Sequence, residues 1–304
     1  METIRTKPAP WAMPVPLMRD RLRLWRDLVA LAPLWGLGAK DGHTYPVTGS
    51  GTSNGMPVEW ITKQALTEVQ SIAGSGASVP PKWGTGPLGR ELQSVHNTVA
   101  GSYCIRLANS LMGHMPGTAS EFSCLYSWTP IKVTATTSRG WTGCGSPSGL
   151  DGSNTGLVSI GTNSTRGAHY DGTTQRNTSS GLALTLGVKY VAVVRWRKPG
   201  AVELHIWGNG SYVGKYTSVT IAADAVLKDG TVTHWLVQGN GSNASRGHAA
   251  EIDIAAFWTR SLSDPELLTL GHDPFALIRI PESASAAGWG QLLAGRRNRL
   301  IRAA

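Results

Sequence analysis

Glu251 and Asp253, one residue apart in Glu251-Ile252-Asp253-Ile254, are the carboxylates of this 304-residue chain best spaced for chemistry. On a strand they would share one face. Retaining glycoside hydrolysis asks for two carboxyl groups about 5–5.5 Å apart, one as nucleophile and one as acid/base. Tryptophan is the other unusual resource, at 12 residues. Planar rings on loops stack on sugars and also anchor protein interfaces. Trp141, in Ser-Arg-Gly-Trp, and Trp207, on the side of its strand opposite Val202, Leu204 and Ile206, are the candidate glycan or protein contacts. Trp128, Trp196, Trp235 and Trp258 sit in strand patterns and read as core. The eight histidines are scattered with no H-E-x-x-H, and no G-x-S-x-G elbow occurs. Cys104, Cys124 and Cys144 are odd in number and lack C-x-x-C spacing, so they read as small buried hydrophobes.

The elements that must position these residues are strands. Gly 37, Pro 17 and only 15% charged residues suit many short strands and turns. In EIDIAAFW, strict alternation puts Ile252, Ile254, Ala256 and Trp258 on one face, predicted to be buried, and Glu251, Asp253, Ala255 and Phe257 on the other. SLSDPELLTLG then predicts a short helix, with Ser263 and Glu266 as a capping box, Pro265 in the first turn and Gly271 as its stop. VKYVAVVRW is apolar on both faces and predicts a central strand. VELHIWGNGSYVGKY is a hairpin in which Asn209-Gly210 takes the two positive-φ positions of a type I′ turn. Further strands are expected in DLVALAPLW (interrupted by Pro33), PVEWITK, SYCIRLA, EFSCLYSW, IKVTATT and TVTHWLVQG. Residues 139–181 are Gly-, Ser-, Asn- and Thr-rich and predict short strands joined by long loops. GSGASVPPKWGTGPLG loosely mimics a nucleotide loop but lacks the Lys-Ser/Thr and the strand–helix context for phosphate.

The closing stretch resembles the last strand and helix of LamG-like, concanavalin-type jelly rolls, G-x-I-D-x-x-x-hydrophobic followed by R-x-L-S-x-x-E-L. VKYVAVVRW…VELHIWGNGSYVG resembles the W-Y-H-V-A…L-Y-V-N-G block of the same family, and HDPFALIRIP the exit sequence of such domains in tailed-phage virion proteins. The resemblance implies an all-β jelly-roll β-sandwich over residues 27–281, with a short C-terminal capped helix; outside it, composition predicts an extended basic, Pro-containing arm at 1–26 and a basic tail at 282–304. It also implies a non-enzymatic virion structural protein, as capsid or tail decoration or part of a fibre; the alternative is an adhesin for host-surface glycans. Jelly-roll endo-glucanases use E-x-D-x-(x)-E, and the positions for the third carboxylate are here Ala255 and Ala256, so the leaving group lacks its proton donor. No cofactor is expected. Calcium, which some LamG-like domains bind, is the one candidate, at Asp151 and Asp171 in Gly-rich loops, where Asp-Gly pairs also serve simply as turns.

Charge separates the ends from the body. Of the net +9, residues 1–40 hold seven basic and three acidic side chains, and residues 281–304 four basic and one acidic, leaving +2 for residues 41–280. Pro8, Pro10, Pro14 and Pro16 predict an extended arm. Arg19, Arg21, Arg23 and Arg26, with Arg296, Arg297, Arg299 and Arg302, suit attachment to acidic surfaces of other virion proteins or of a second copy. A nucleic-acid-binding domain would carry its charge on the fold itself, so nucleic acid is not the expected partner. No apolar run reaches membrane-spanning length, and the first residues lack the apolar core of a signal peptide, so synthesis in a cytoplasm is expected; the resemblance implies a virion assembled there.

Overall fold

The computed structural model describes residues 23–34, 59–61, 67–70, 82–86, 89–94, 103–108, 121–130, 142–145, 155–161, 164–170, 175–178, 182–221, 234–238 and 250–278. The expected strand IKVTATT lies outside them. In chain order the strands are β1 (Leu28–Pro33), β2 (Thr67–Gln70), β3 (Lys82–Gly86), β4 (Gly89–Ser94), β5 (Tyr103–Ala108), β6 (Glu121–Pro130), β7 (Thr142–Gly145) and β8 (Thr155–Gly161). They continue as β9 (Ser164–Tyr170), β10 (Gln175–Asn177), β11 (Tyr190–Arg197), β12 (Gly200–Gly208), β13 (Ser211–Ile221), β14 (His234–Gln238) and β15 (Ala250–Trp258). Helix α1 (Asp264–His272) and a 3-10 turn at Pro274–Leu277 follow, and another 3-10 turn, Arg23–Trp25, precedes β1.

Among the described residues, the first sheet has the order β13-β12-β11-β6-β15-β4-β3, with β1 also paired to β15, and the second β10-β9-β8-β7-β14-β5-β2, with every pair antiparallel. The chain changes sheet on each side of β2, β5, β6 and β14, and between β10 and β11. β8 packs over β6 and β11, β9 over β12, and β10 over β13. The fold is therefore an all-β sandwich of jelly-roll type, as the strand pattern predicts.

Strands β1, β6, β11 and β15 of the first sheet are buried on both faces. Between the sheets lie Phe122, Tyr126, Trp128, Tyr190, Val194, Trp196, Leu204 and Phe257, with the Phe122 and Phe257 rings stacked at 6.0 Å. On the outer face, Leu125, Val191, Val193, Trp207, Ile254 and Trp258 pack under Leu267, Leu270, Phe275 and Leu277 of the closing helical segment. β11 is central, as its two apolar faces predict. Trp128, Trp196 and Trp258 are fully buried, and Cys124 is buried with them.

Three sequence expectations change on contact with packing. β15 does not keep strict alternation: the register against β6 jumps between Ile252, opposite Trp128, and Ile254, opposite Ser127. The extra residue is Asp253, a β-bulge. Ile252 consequently joins the core between the sheets and Ile254 the outer core. PVEWITK is a turn at 59–61, not a strand there. Glu59 is fully buried, and its carboxylate accepts from Leu31 N at 2.7 Å and Ile61 N at 2.8 Å, while Trp60 N donates to Leu31 O, so the turn covers the open edge of β1. Pro33 ends β1 at that edge, where a missing donor is tolerated. Finally, Gly271 lies inside α1, which runs on to His272.

Arg23–Trp25, placed in the N-terminal arm by composition, packs against the closing segment. Leu24 is buried, Trp258 Nε1 donates to Leu24 O at 2.5 Å, and Trp25 Nε1 donates to Leu277 O at 2.9 Å. The hairpin turn is as the sequence predicts, with Asn209 at φ 48° and Gly210 at φ 77°. Gly210→Ala should cost about 1 kcal/mol, because a Cβ in the left-handed region meets the following carbonyl; urea denaturation reads this directly.

Candidate functional site

Glu251 is half-buried on β15, while Asp253 is buried. The bulge turns Asp253 into the outer face, where its side chain is 1% exposed. Ser127 Oγ donates to Asp253 Oδ2 at 2.7 Å, and Lys189 Nζ lies 3.0 Å from the same oxygen while standing over the Phe275 ring, 4.5 Å from its centroid. Asp253 is thus the buried counter-ion of Lys189 beneath the Pro274–Leu277 turn. Its negative charge, after burial itself, raises the Tyr126 hydroxyl well above its ordinary pKa.

Trp207, expected as a surface contact, is 1% exposed. It does project opposite Val202, Leu204 and Ile206, but α1 lies on that face of the sheet, so the ring is a core residue. A Cβ on Gly271 would stand 2.0 Å from Trp207 Cε2, so the helix lies directly on the indole. Arg23 is exposed within its 3-10 turn and its carbonyl accepts from Arg260. Trp141, Asp151, Asp171, Arg19, Arg21, Arg296, Arg297, Arg299 and Arg302 lie outside the described residues. Among the described residues, no three His, Cys, Asp or Glu side chains gather as metal ligands.

The structure assembles a different cluster, beside α1 on the β11–β13 end of the outer face. Register places it: His205 lies opposite Val193 and Lys215, Glu203 opposite Arg195, and Tyr212 opposite Trp207. Glu203 is the hub. Its Oε2 accepts from Arg195 Nε at 2.6 Å and lies 3.3 Å from His205 Nε2, while Lys215 Nζ bonds its Oε1. Arg195 reaches on to Leu262 O at 2.8 Å and Asp264 Oδ1 at 2.7 Å, tying the sheet to the first turn of α1. Tyr212 Oη sits 3.3 Å from His205 Nδ1, and its ring meets Trp207 edge-on at 5.2 Å.

Electrostatics follow from these contacts. Burial alone would raise Glu203, but the hydrogen bonds from Lys215, Arg195 and His205 outweigh it and hold the carboxyl at about 2. Burial, which favours neutral imidazole, lowers His205 and outweighs the opposing pull of its Glu203 hydrogen bond. Burial and then the Glu203 charge raise the Tyr212 phenol, keeping it protonated. Tyr212 is therefore a protonated phenol hydrogen-bonded to His205. In α1, burial would likewise raise Glu266, but bonds from Arg260 and from Ser263 N and Oγ hold it at about 2.

Both carboxyls are depressed in the fold, so their contribution to stability is present above the unfolded carboxylate range and is lost as pH falls from about 4.5 toward 2. Denaturant midpoints measured from pH 7 to pH 2 should be flat with respect to these groups down to about pH 5 and then fall. The acid-side decline should be shallower in Glu203→Gln protein. An unchanged slope would mean that Glu203 is as solvated folded as unfolded.

Sequence reasoning passed over this cluster, though its signal was present. Glu203, His205 and Trp207 alternate on one face of β12, and the two-residue turn carries Tyr212 and Lys215 back opposite them.

The chain matches no protein-family model, and no curated protein is similar to it. Among solved structures it is similar to domain 4 of a GH43 extracellular arabinanase from Geobacillus stearothermophilus, solved in complex with arabinotriose, at 16% identity and TM-score 0.37, covering 68% of this chain and 88% of that one. It is similar to Trypanosoma rangeli sialidase at 10% identity and TM-score 0.42, covering 83% of this chain and 33% of the other. It is also similar to the binding domain of botulinum neurotoxin DC, solved in complex with rat synaptotagmin II, at 8% identity and TM-score 0.47, covering 83% of this chain and 52% of the other. This chain thus spans about a third of the sialidase and half of the toxin domain.

Proposed function

We propose that this chain is a non-catalytic structural component of a tailed-phage virion, attached through its basic ends, with the sandwich as the displayed body. The reading rests on the LamG-like resemblance of its closing segment and hairpin. The observation that carries its non-catalytic part is the fate of Asp253. A hydrolytic carboxylate must reach substrate, and this one is buried, hydrogen-bonded by Ser127 and neutralised by Lys189 beneath the Pro274–Leu277 turn. Purified protein should release no reducing ends from β-glucans, agar, carrageenan or peptidoglycan. Turnover that Glu251→Gln abolishes would overturn this reading. The attachment part is tested by co-sedimentation with particles lacking the protein: deleting residues 1–16 or 288–304 should leave the sandwich folded and reduce binding. Full binding by both truncations would make the sandwich itself the docking surface.

A second reading, a glycan-recognising adhesin, is favoured by one feature. Tyr212 is half-exposed yet fixed at both ends, its ring against Trp207 and its hydroxyl against His205.

A further inference from the structure

Exposed tyrosines ordinarily move. Tyr212 is 49% exposed, but its ring abuts an indole that α1 clamps from the other side, and its hydroxyl is tied into a Tyr212–His205–Glu203 chain. His205 itself is 8% exposed, and its ring lies near-parallel to Trp207, 22° between planes at 6.2 Å between centroids. Immobilising a side chain on binding costs free energy, so an aromatic ring already held in place is a low-cost contact for a ligand.

The surroundings of the ring narrow the ligand's chemistry. Lys215 is 42% exposed and bonds Glu203, leaving further ammonium hydrogens to donate. Asp264 is 77% exposed and uses Oδ1 for Arg195, leaving Oδ2 to accept. The formal charges cancel, with Arg195 and Lys215 against Glu203 and Asp264, and His205 neutral. Leu268, 50% exposed, stands one turn beyond Asp264 on the same flank of α1. A rigid aromatic face beside apolar carbons, with both donors and acceptors at its margin and no net charge, suits a molecule that is itself apolar on one face and ringed with hydroxyls.

We infer that the patch formed by Tyr212, Lys215, Asp264 and Leu268 is a binding site for a neutral pyranoside, whose C–H face stacks on Tyr212 while its hydroxyls bond Lys215 and Asp264. The inference rests on the adhesin reading and supplies the site which that reading lacks, on the outer face of the sandwich. His205 is a positioning residue: it holds the phenol and does not touch the sugar.

Saturation-transfer NMR with tri- and tetrasaccharides of neutral glucan, mannan and galactan type, and with sialyllactose, tests this on the full chain. At least one neutral series should bind. Tyr212→Ala should weaken it about tenfold or more, the loss expected when a central aromatic anchor is truncated. Tyr212→Phe, which keeps the ring, should lose much less, and thermal melting of both variants should match the unsubstituted protein. Neutral sugar bound equally well by Tyr212→Ala overturns the site but leaves the adhesin reading standing. A clear preference for sialyllactose overturns the neutral-ligand assignment. If no oligosaccharide binds, the adhesin reading fails and the site with it, and the patch is then a protein contact.

Discussion

Arg260→Ala protein is expected to lose about 3–5 kcal/mol of folding stability, the cost of stripping one partner from a buried ion pair. The guanidinium donates from Nη1 to Glu266 Oε2 at 2.9 Å and from Nη2 to Glu266 Oε1 at 2.8 Å, a two-pronged pair with side chains only 7% and 10% exposed. Nε also donates to Arg26 O at 2.7 Å, and Nη2 to Arg23 O. Truncation would leave the Glu266 carboxylate buried without its cation and would free two carbonyls of the N-terminal segment. Arg260→Lys should recover only part of the loss, since an ammonium is a point charge and cannot span both carboxylate oxygens and both carbonyls. Replacing the pair together, as Arg260→Met with Glu266→Leu, should be much milder than Arg260→Ala alone, because no unpaired charge remains. Urea denaturation at pH 7 is the measurement. A loss under about 1 kcal/mol would place the pair with ordinary surface salt bridges and sink the argument.

The second large effect is expected at Gly271. On helix propensity alone Gly271→Ala should stabilise α1, by about 0.8–1.0 kcal/mol. Packing opposes this. The new methyl would stand 2.0 Å from Trp207 Cε2, 2.2 Å from Cδ2 and 2.5 Å from Cζ2, and the indole is rigid and fully enclosed. Overpacking of this kind typically costs about 1–3 kcal/mol, so after the propensity gain the net change should be destabilising by up to about 2 kcal/mol. A Trp207→Leu, Gly271→Ala double variant should be more stable than the two single losses predict, since leucine makes room for the methyl and the methyl fills part of the space the indole leaves. A raised melting temperature for Gly271→Ala would show that α1 does not lie on the indole.

Much of the fold was legible because local signals agreed. β11 announced its central place by apolar residues on both faces, and Asn209-Gly210 fixed the β12–β13 register. Ser263 with Glu266 marked where α1 begins. The failures share a cause: each depended on a residue distant in the sequence. Ile252, Asp253 and Ile254 look uniformly alternating, because bulging a strand with two apolar faces leaves no mismatch in the pattern. Gly271 reads as a helix stop until the indole of Trp207, far back on β12, is seen beneath it. The same contact hid the burial of Trp207, since nothing around β12 foretells a helix on that face. Glu59 sits in an apolar stretch that scans as a strand, and only the open edge of β1 explains a buried carboxylate there. The outer-face cluster was readable in principle, from alternation plus the hairpin register, but its residues match no motif spacing along the chain.

The docking of Arg23–Trp25 against the closing segment has a mechanical consequence. Trp25 is hydrogen-bonded to Leu277, and Arg23 O to Arg260, so the two ends of the described body emerge side by side. Tension applied through both extensions would enter and leave the protein at neighbouring points, crossing the Trp25–Leu277 and Arg260 bonds and bypassing the sandwich. Pulled by its ends, the chain should yield first by peeling the N-terminal turn from Arg260 and Leu277, one bond after another at low force. The two sheets would bear load only after that clasp had opened.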